Sequence, residues 1–112
     1  MKEGDVVLTA IPQADGQVKN RPTIVLREMP PYDDLLVCGI STQIHQQVQG
    51  FDETISPVDD DFAQSGLVSQ SLIRLGFLAV LARNNVIGAI GNIAPERHQR
   101  LLQRLCDHLT KS

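Results

Sequence analysis

The sequence predicts a mostly-β (α+β) fold: a small, strongly bent antiparallel sheet or barrel carrying one α-helix at its C-terminus. Three observations lead there. Short apolar, β-branched runs recur along the first four-fifths of the chain, separated by Gly, Pro, Asn and Asp. The apolar period changes to a helical one only after Pro95. The 112 residues, 42% hydrophobic and 21% charged, are one domain's worth of ordinary globular composition, so residues 1–112 are expected to form a single domain.

Asp5-Val6-Val7-Leu8-Thr9-Ala10 reads as a buried strand. Residues 11–20, with Pro12, Asp15-Gly16 and Asn20, read as a turn-rich loop. A second strand begins at Pro22, where the missing N–H is tolerated, and runs to Arg27 before Met29-Pro30-Pro31 breaks it. Leu35 to Ile40 is a third strand leading into the hydroxyl pair Ser41-Thr42. Residues 45–66 are polar and weakly periodic, mostly loop with a short strand at Glu53-Thr54-Ile55. Leu67 to Leu75 is a strand that Phe77 to Leu81 continues or neighbours, and Val86 to Ile90 is the last one. Pro95 suits a first helical position, and His98, Leu102, Leu105 and Leu109 mark one helix face with Arg97, Arg100 and Arg104 on the other.

Charge is unevenly spread. The net value is −3. Residues 32–66 hold Asp33, Asp34, Asp52, Glu53, Asp59, Asp60 and Asp61 with no Lys or Arg, whereas the segment after them carries Arg74, Arg83, Arg97, Arg100, Arg104 and Lys111. These read as a solvated acidic loop and a basic helix face. A pI near 5.5 argues against non-specific coating of nucleic acid while leaving room for a local cationic cleft. Residues 1–5 mix charges instead of forming a basic-then-apolar leader, and no apolar run nears the roughly 18 residues of a membrane span. Cys38 and Cys106 lie in apolar stretches and read as buried thiols. A soluble, cytoplasmic protein is expected.

Generic motifs are scarce: there is no P-loop, no Gly-x-Gly-x-x-Gly, no Cys-x-x-Cys and no His pair at metal spacing. His98 and His108 read as packing or surface residues. Asp59-Asp60-Asp61 most simply solvates a loop, since adjacent carboxylates point in different directions.

Three segments in order carry a more specific signal: Gly4-Asp5-Val6-Val7-Leu8, Arg21-Pro22-Thr23-Ile24-Val25-Leu26, and Val37-Cys38-Gly39-Ile40-Ser41-Thr42-Gln43. With Gly66-Leu67, Ser71-Leu72-Ile73-Arg74-Leu75 and the ending from Ile87 to Arg97, the chain resembles the PemK/MazF-like toxins of bacterial type II toxin–antitoxin modules. The resemblance implies an SH3-like small β-barrel with a C-terminal helix. It also implies a metal-independent, cofactor-free endoribonuclease acting on single-stranded RNA, in which the ribose 2′-OH attacks phosphorus to leave a 2′,3′-cyclic phosphate and a 5′-OH.

Arg21 matches the family arginine, and its planar guanidinium suits bidentate phosphate binding. Ser41 matches the family threonine and Thr42 offers a second hydroxyl. Strand alternation lets only one of them face the site, and Ser41 is favoured. Lys19, Asn20, Gln43, His45 and Arg74 are the expected RNA-binding residues, with Tyr32, Phe51 or Phe62 as stacking candidates. A cognate antitoxin and a homodimer are the implied partners. The dimer would bury Leu67, Phe77, Leu78, Val80 and Leu81, with the acidic block turned away.

The chain departs from the family at Gly76, where a carboxylate stands two residues after the strand arginine, and no histidine lies in the loop 13–20. Asp15 or His45 could substitute. Two further readings therefore stand beside the ribonuclease. One is a catalytically degenerate binding protein. The other is a gyrase inhibitor like the related CcdB-like toxins, against which the Arg21 and Ser41 pair speaks.

Overall fold

The computed structural model describes residues 1–12 and 14–112, so the expected loop at Gln13 lies outside the described residues. Strands β1 (Asp5–Pro12), β2 (Val18–Met29), β3 (Asp34–Ser41), β4 (Glu53–Ile55), β5 (Ser71–Leu81) and β6 (Val86–Asn92) form one sheet. Its order is β4-β5-β3-β2-β1-β6, and every neighbouring pair is antiparallel. Two α-helices complete the fold, α1 (Phe62–Ser65) and α2 (Pro95–Thr110). The mostly-β expectation with a C-terminal helix holds.

The central strands are continuous apolar runs because both sheet faces are covered. On one face Val6, Ile24, Leu26, Cys38, Ile40, Ile73 and Leu75 pack under α2 against Leu101 and Leu105. On the other, Val7, Val25, Leu35 and Val37 form a smaller cluster with Ala79, Leu81 and Val86 against them. Register shifts in the β1–β2–β3 region, at Val25/Arg27 and twice between β1 and β6, add local twist and bend the sheet.

The expected barrel does not close. No pairing joins the edge strands β4 and β6 among the described residues; instead α1 packs against β6. Two glycines permit that approach. A Cβ on Gly91 would overlap the Gln64 carbonyl oxygen and the Ser65 carbonyl carbon, and one on Gly66 would overlap the Ile90 carbonyl oxygen. Gly66 also ends α1 at φ 76°, a left-handed conformation that favours glycine. Gly91→Ala should cost about 1–3 kcal/mol, because backbone must yield to backbone. A melting temperature equal to that of the unmodified protein would show that α1 can leave β6 freely.

Several local expectations change. β1 and β2 extend into the predicted loop, through Pro12 and from Val18, so the connection is shorter than residues 11–20. Leu67 to Gln70 is not strand: β5 starts at Ser71, Leu67 packs on the core from the connection, and Val68 is almost fully exposed. Cys106 is exposed, because α2 buries the stripe Arg97, Leu101, Leu105 instead of the one through Leu102 and Leu109. Cys38 is buried, and burial pushes its thiol pKa up to about 12, leaving it unreactive at neutral pH.

The largest correction concerns charge. Arg97 is not on a solvated face: it is 8% exposed and anchors α2 to the acidic segment. Its Nε and Nη2 donate to Asp61 at 2.8 and 3.1 Å, Nη1 to Glu53 at 2.8 Å, and Nη2 also to Asp59 at 3.1 Å. Arg100 and Arg104 reach Glu53 from the same helix. Part of the acidic block is thus turned inward, with Asp52, Glu53 and Asp61 buried, while Asp33 and Asp60 stay exposed. Burial alone would push the Asp61 carboxyl up. Hydrogen bonds from Arg97 and from the Ala94 N–H outweigh it and hold the carboxyl below the usual range.

Candidate functional site

The site begins with an irregularity in β5. Cys38 on β3 faces Leu78, but the next residue, Gly39, faces Arg74, so Leu75, Gly76 and Phe77 form a bulge with no partner on β3. The Leu75 N–H, removed from the ladder, donates to Asp52 Oδ1 at 3.1 Å, while Asp52 Oδ2 accepts the Val48 N–H at 3.0 Å. This buried carboxylate stabilises the bulge. Phe77 then folds back across β3, and only glycine admits it: a Cβ on Gly39 would stand 2.8 Å from the ring's Cδ1. A glycine inside a strand marks such close approaches, so Gly39 was a readable signal.

β2 supplies the second wall. Thr23 faces Gly39, and continuing that antiparallel register by two residues brings Arg21 opposite Ser41. The Arg21 backbone is held on its other side, where Thr9 Oγ1 donates to the Arg21 carbonyl at 3.3 Å. At the end of β3 the Gln43 N–H donates to Ser41 Oγ at 3.0 Å, which leaves the Ser41 hydroxyl hydrogen available to a ligand.

Arg21, Ser41, Thr42, Gln43 and Arg74 line one cleft of about 390 Å³, together with Ala14, Pro22, Gly39, Ile40 and Phe77. Ser41 and Thr42 both reach it, because β3 ends at Ser41 and alternation no longer separates the two. None of the described lining residues is acidic. Arg74 makes no ion pair among the described residues, while Glu3, Glu28, Glu53, Asp59 and Asp61 are engaged by Arg27, Arg83, Arg97, Arg100 and Arg104. Two guanidiniums and two hydroxyls facing one cavity make a binding place for an anion with several oxygen acceptors.

Other expected site residues fall outside the lining. Lys19 and Asn20 lie further along β2 opposite Ile11 and Ala10, and His45 is exposed in the 3₁₀ turn Ile44–Gln46. Asp15 is exposed and closes a turn by accepting the Gln17 N–H at 2.9 Å. Of the aromatic candidates, Phe51 and Phe62 pack against the core and Tyr32 is exposed away from the cleft.

The chain matches the family model described as PemK-like, MazF-like toxin of type II toxin-antitoxin system over residues 2–109. It belongs to that family. Among solved structures it is similar to Mycobacterium tuberculosis toxin MazF-mt6, with a TM-score of 0.67 and 16% identity over 96% of this chain and 98% of that one. No curated protein sequence matches it. This PemK/MazF-like chain is accordingly a toxin of the type II kind, and the family implies an antitoxin partner. No described helix is long and apolar enough to cross a membrane.

Within this PemK/MazF-like fold, Gly76 is instructive. A Cβ there would point toward Phe51, at 4.0 Å from its ring, and Gly76 does not line the cleft.

Proposed function

We propose that this toxin is a metal-independent endoribonuclease acting on single-stranded RNA, and that its catalytic residues are Arg21, Ser41 and Thr42. The observation carrying the proposal is the convergence of Arg21, Arg74, Ser41 and Thr42 on one cleft with no described carboxylate lining it. The two guanidiniums bind non-bridging phosphate oxygens and stabilise the charge that grows on them, a role that a divalent cation fills elsewhere. The 2′-oxygen attacks phosphorus and loses its proton, the bond to the 5′-oxygen breaks, and that oxygen takes up a proton. The products are a 2′,3′-cyclic phosphate and a 5′-OH. Ser41 and Thr42 donate to the same phosphate, and Gln43 offers an amide to a neighbouring group.

The chain acts as one domain in the cytoplasm and pairs as a homodimer. Leu78 and Val80 remain exposed side by side on one face of β5 and supply apolar surface for the pairing, whereas Leu67 and Leu81 are drawn into the cores. An acidic antitoxin segment competes with RNA for the cationic cleft.

A second reading, an RNA-binding relative that does not cut, draws on one observation: no imidazole or carboxylate lines the described cleft. Incubation of the purified protein with a long RNA in EDTA, followed by end-group analysis, separates the two. Cyclic phosphate and 5′-OH ends support the ribonuclease; retention of intact RNA supports the binder; cleavage only with added Mg²⁺ or Mn²⁺ overturns the metal-independent mechanism.

The same absence of a titrating base predicts the pH dependence. Cleavage should rise by about tenfold per pH unit through the neutral range, as the 2′-OH proton becomes easier to remove. A plateau near neutrality would assign a titrating side chain, with His45 the first to test by substitution.

A further inference from the structure

We infer that Phe77 is a stacking platform for a nucleobase of the RNA whose phosphate Arg21 and Arg74 hold. The inference rests on the RNA-cleaving reading and deepens it, by assigning a base-contacting group to the same cleft. Three features carry it. Phe77 is the only aromatic residue among the described lining of the cleft, and it is 39% exposed although it is a large apolar side chain. Its ring lies directly against the Gly39 backbone, at a distance that a Cβ there would not allow. Its position is built: the bulge at residues 75–77 that delivers the ring is stabilised by the buried Asp52 carboxylate.

A ring seated on backbone with its remaining surface open to a cationic cleft suits the flat face of a base. Stacking needs little sequence information, since every base has such a face, and it pairs naturally with guanidiniums on the adjoining phosphate. Within this cleft the arginines hold the backbone and Phe77 holds the base beside it. Ser41, Thr42 and Gln43 line the same cleft and offer hydrogen-bonding groups to the base rim.

The chain contains no tryptophan, which makes Phe77→Trp a unique fluorescent reporter. Short 2′-O-methyl adenosine oligonucleotides serve as the probe, because they keep base and phosphate but lack the nucleophilic hydroxyl and are not cut. Binding should quench the Trp fluorescence of Phe77→Trp, and an abasic 2′-O-methyl ribose-phosphate oligomer should not. Phe77→Leu should bind the adenosine oligonucleotide roughly 10- to 100-fold more weakly than the unmodified protein, and the abasic oligomer equally well. Circular dichroism melting of both variants verifies that they are folded. If Phe77→Leu binds the adenosine oligonucleotide as tightly as the unmodified protein while that protein still cleaves RNA, the stacking role is overturned and the ribonuclease reading stands. If the unmodified protein neither binds the oligonucleotides nor cleaves RNA, both fall.

Discussion

Arg21→Lys is expected to lower the proposed cleavage of single-stranded RNA by roughly 10²- to 10³-fold, close to the loss expected from Arg21→Ala. The size of the effect is that of removing one preorganised donor from a site where charge develops. Lysine does not restore it, because an ammonium is a compact point charge and cannot donate in parallel to two phosphate oxygens. The effect belongs in the rate constant of the chemical step more than in RNA affinity, since Arg74 lines the same cleft and still attracts the backbone. Single-turnover kinetics on the purified variants measure the two separately. A lysine variant that cuts at the unmodified rate would show that Arg21 supplies only general positive charge, and the bidentate account would be abandoned.

Arg97→Met destabilises the fold by about 3–5 kcal/mol, lowering the melting temperature by roughly 10–25 °C. Methionine fills much of the volume but leaves Glu53, Asp59 and Asp61 facing one another without the cation that joins them. Neutralising the acids in the same background, with Glu53→Gln and Asp61→Asn, should recover a good part of the loss. The pH dependence has a definite sign. Asp61 is held below its ordinary carboxylate range in the folded protein, so its contribution is present above about pH 4 and disappears as pH falls through the folded value. Melting temperatures of Arg97→Met and the unmodified protein should therefore converge in acid. A gap of constant size down to strongly acidic pH would mean that Arg97 acts through packing and not through its ion pairs.

Much of the fold was legible in order along the chain. β3 and β4 and the start of α2 at Pro95 fall where local composition put them, because β-branched runs, turn residues and an N-terminal proline act over a few residues. The candidate site was half legible: Arg21, Ser41, Thr42, Gln43 and Arg74 meet in one cleft, while Lys19, Asn20 and His45 lie outside its lining. The residues misplaced are those whose surroundings come from distant segments. Arg97 reads as a solvated helix cation until Glu53, Asp59 and Asp61 are folded against it from more than thirty positions away.

By itself, then, the sequence determined the approximate place of most strands, the C-terminal helix and the family, and it offered the arginine and hydroxyl residues of the candidate site, all of which are written in local pattern and residue type. The short helix α1 lies in a segment that reads as loop. Tertiary structure alone decided that the sheet stays open where α1 meets β6, and that Glu53 and Asp61 of the acidic block turn inward to anchor α2. It also decided that Phe77 lines the cleft. The physical reason is common to all three. Each depends on a close approach between segments far apart in the chain, permitted by Gly91, Gly66 or Gly39 or held by a buried charge, and no pattern within one segment encodes which partner arrives.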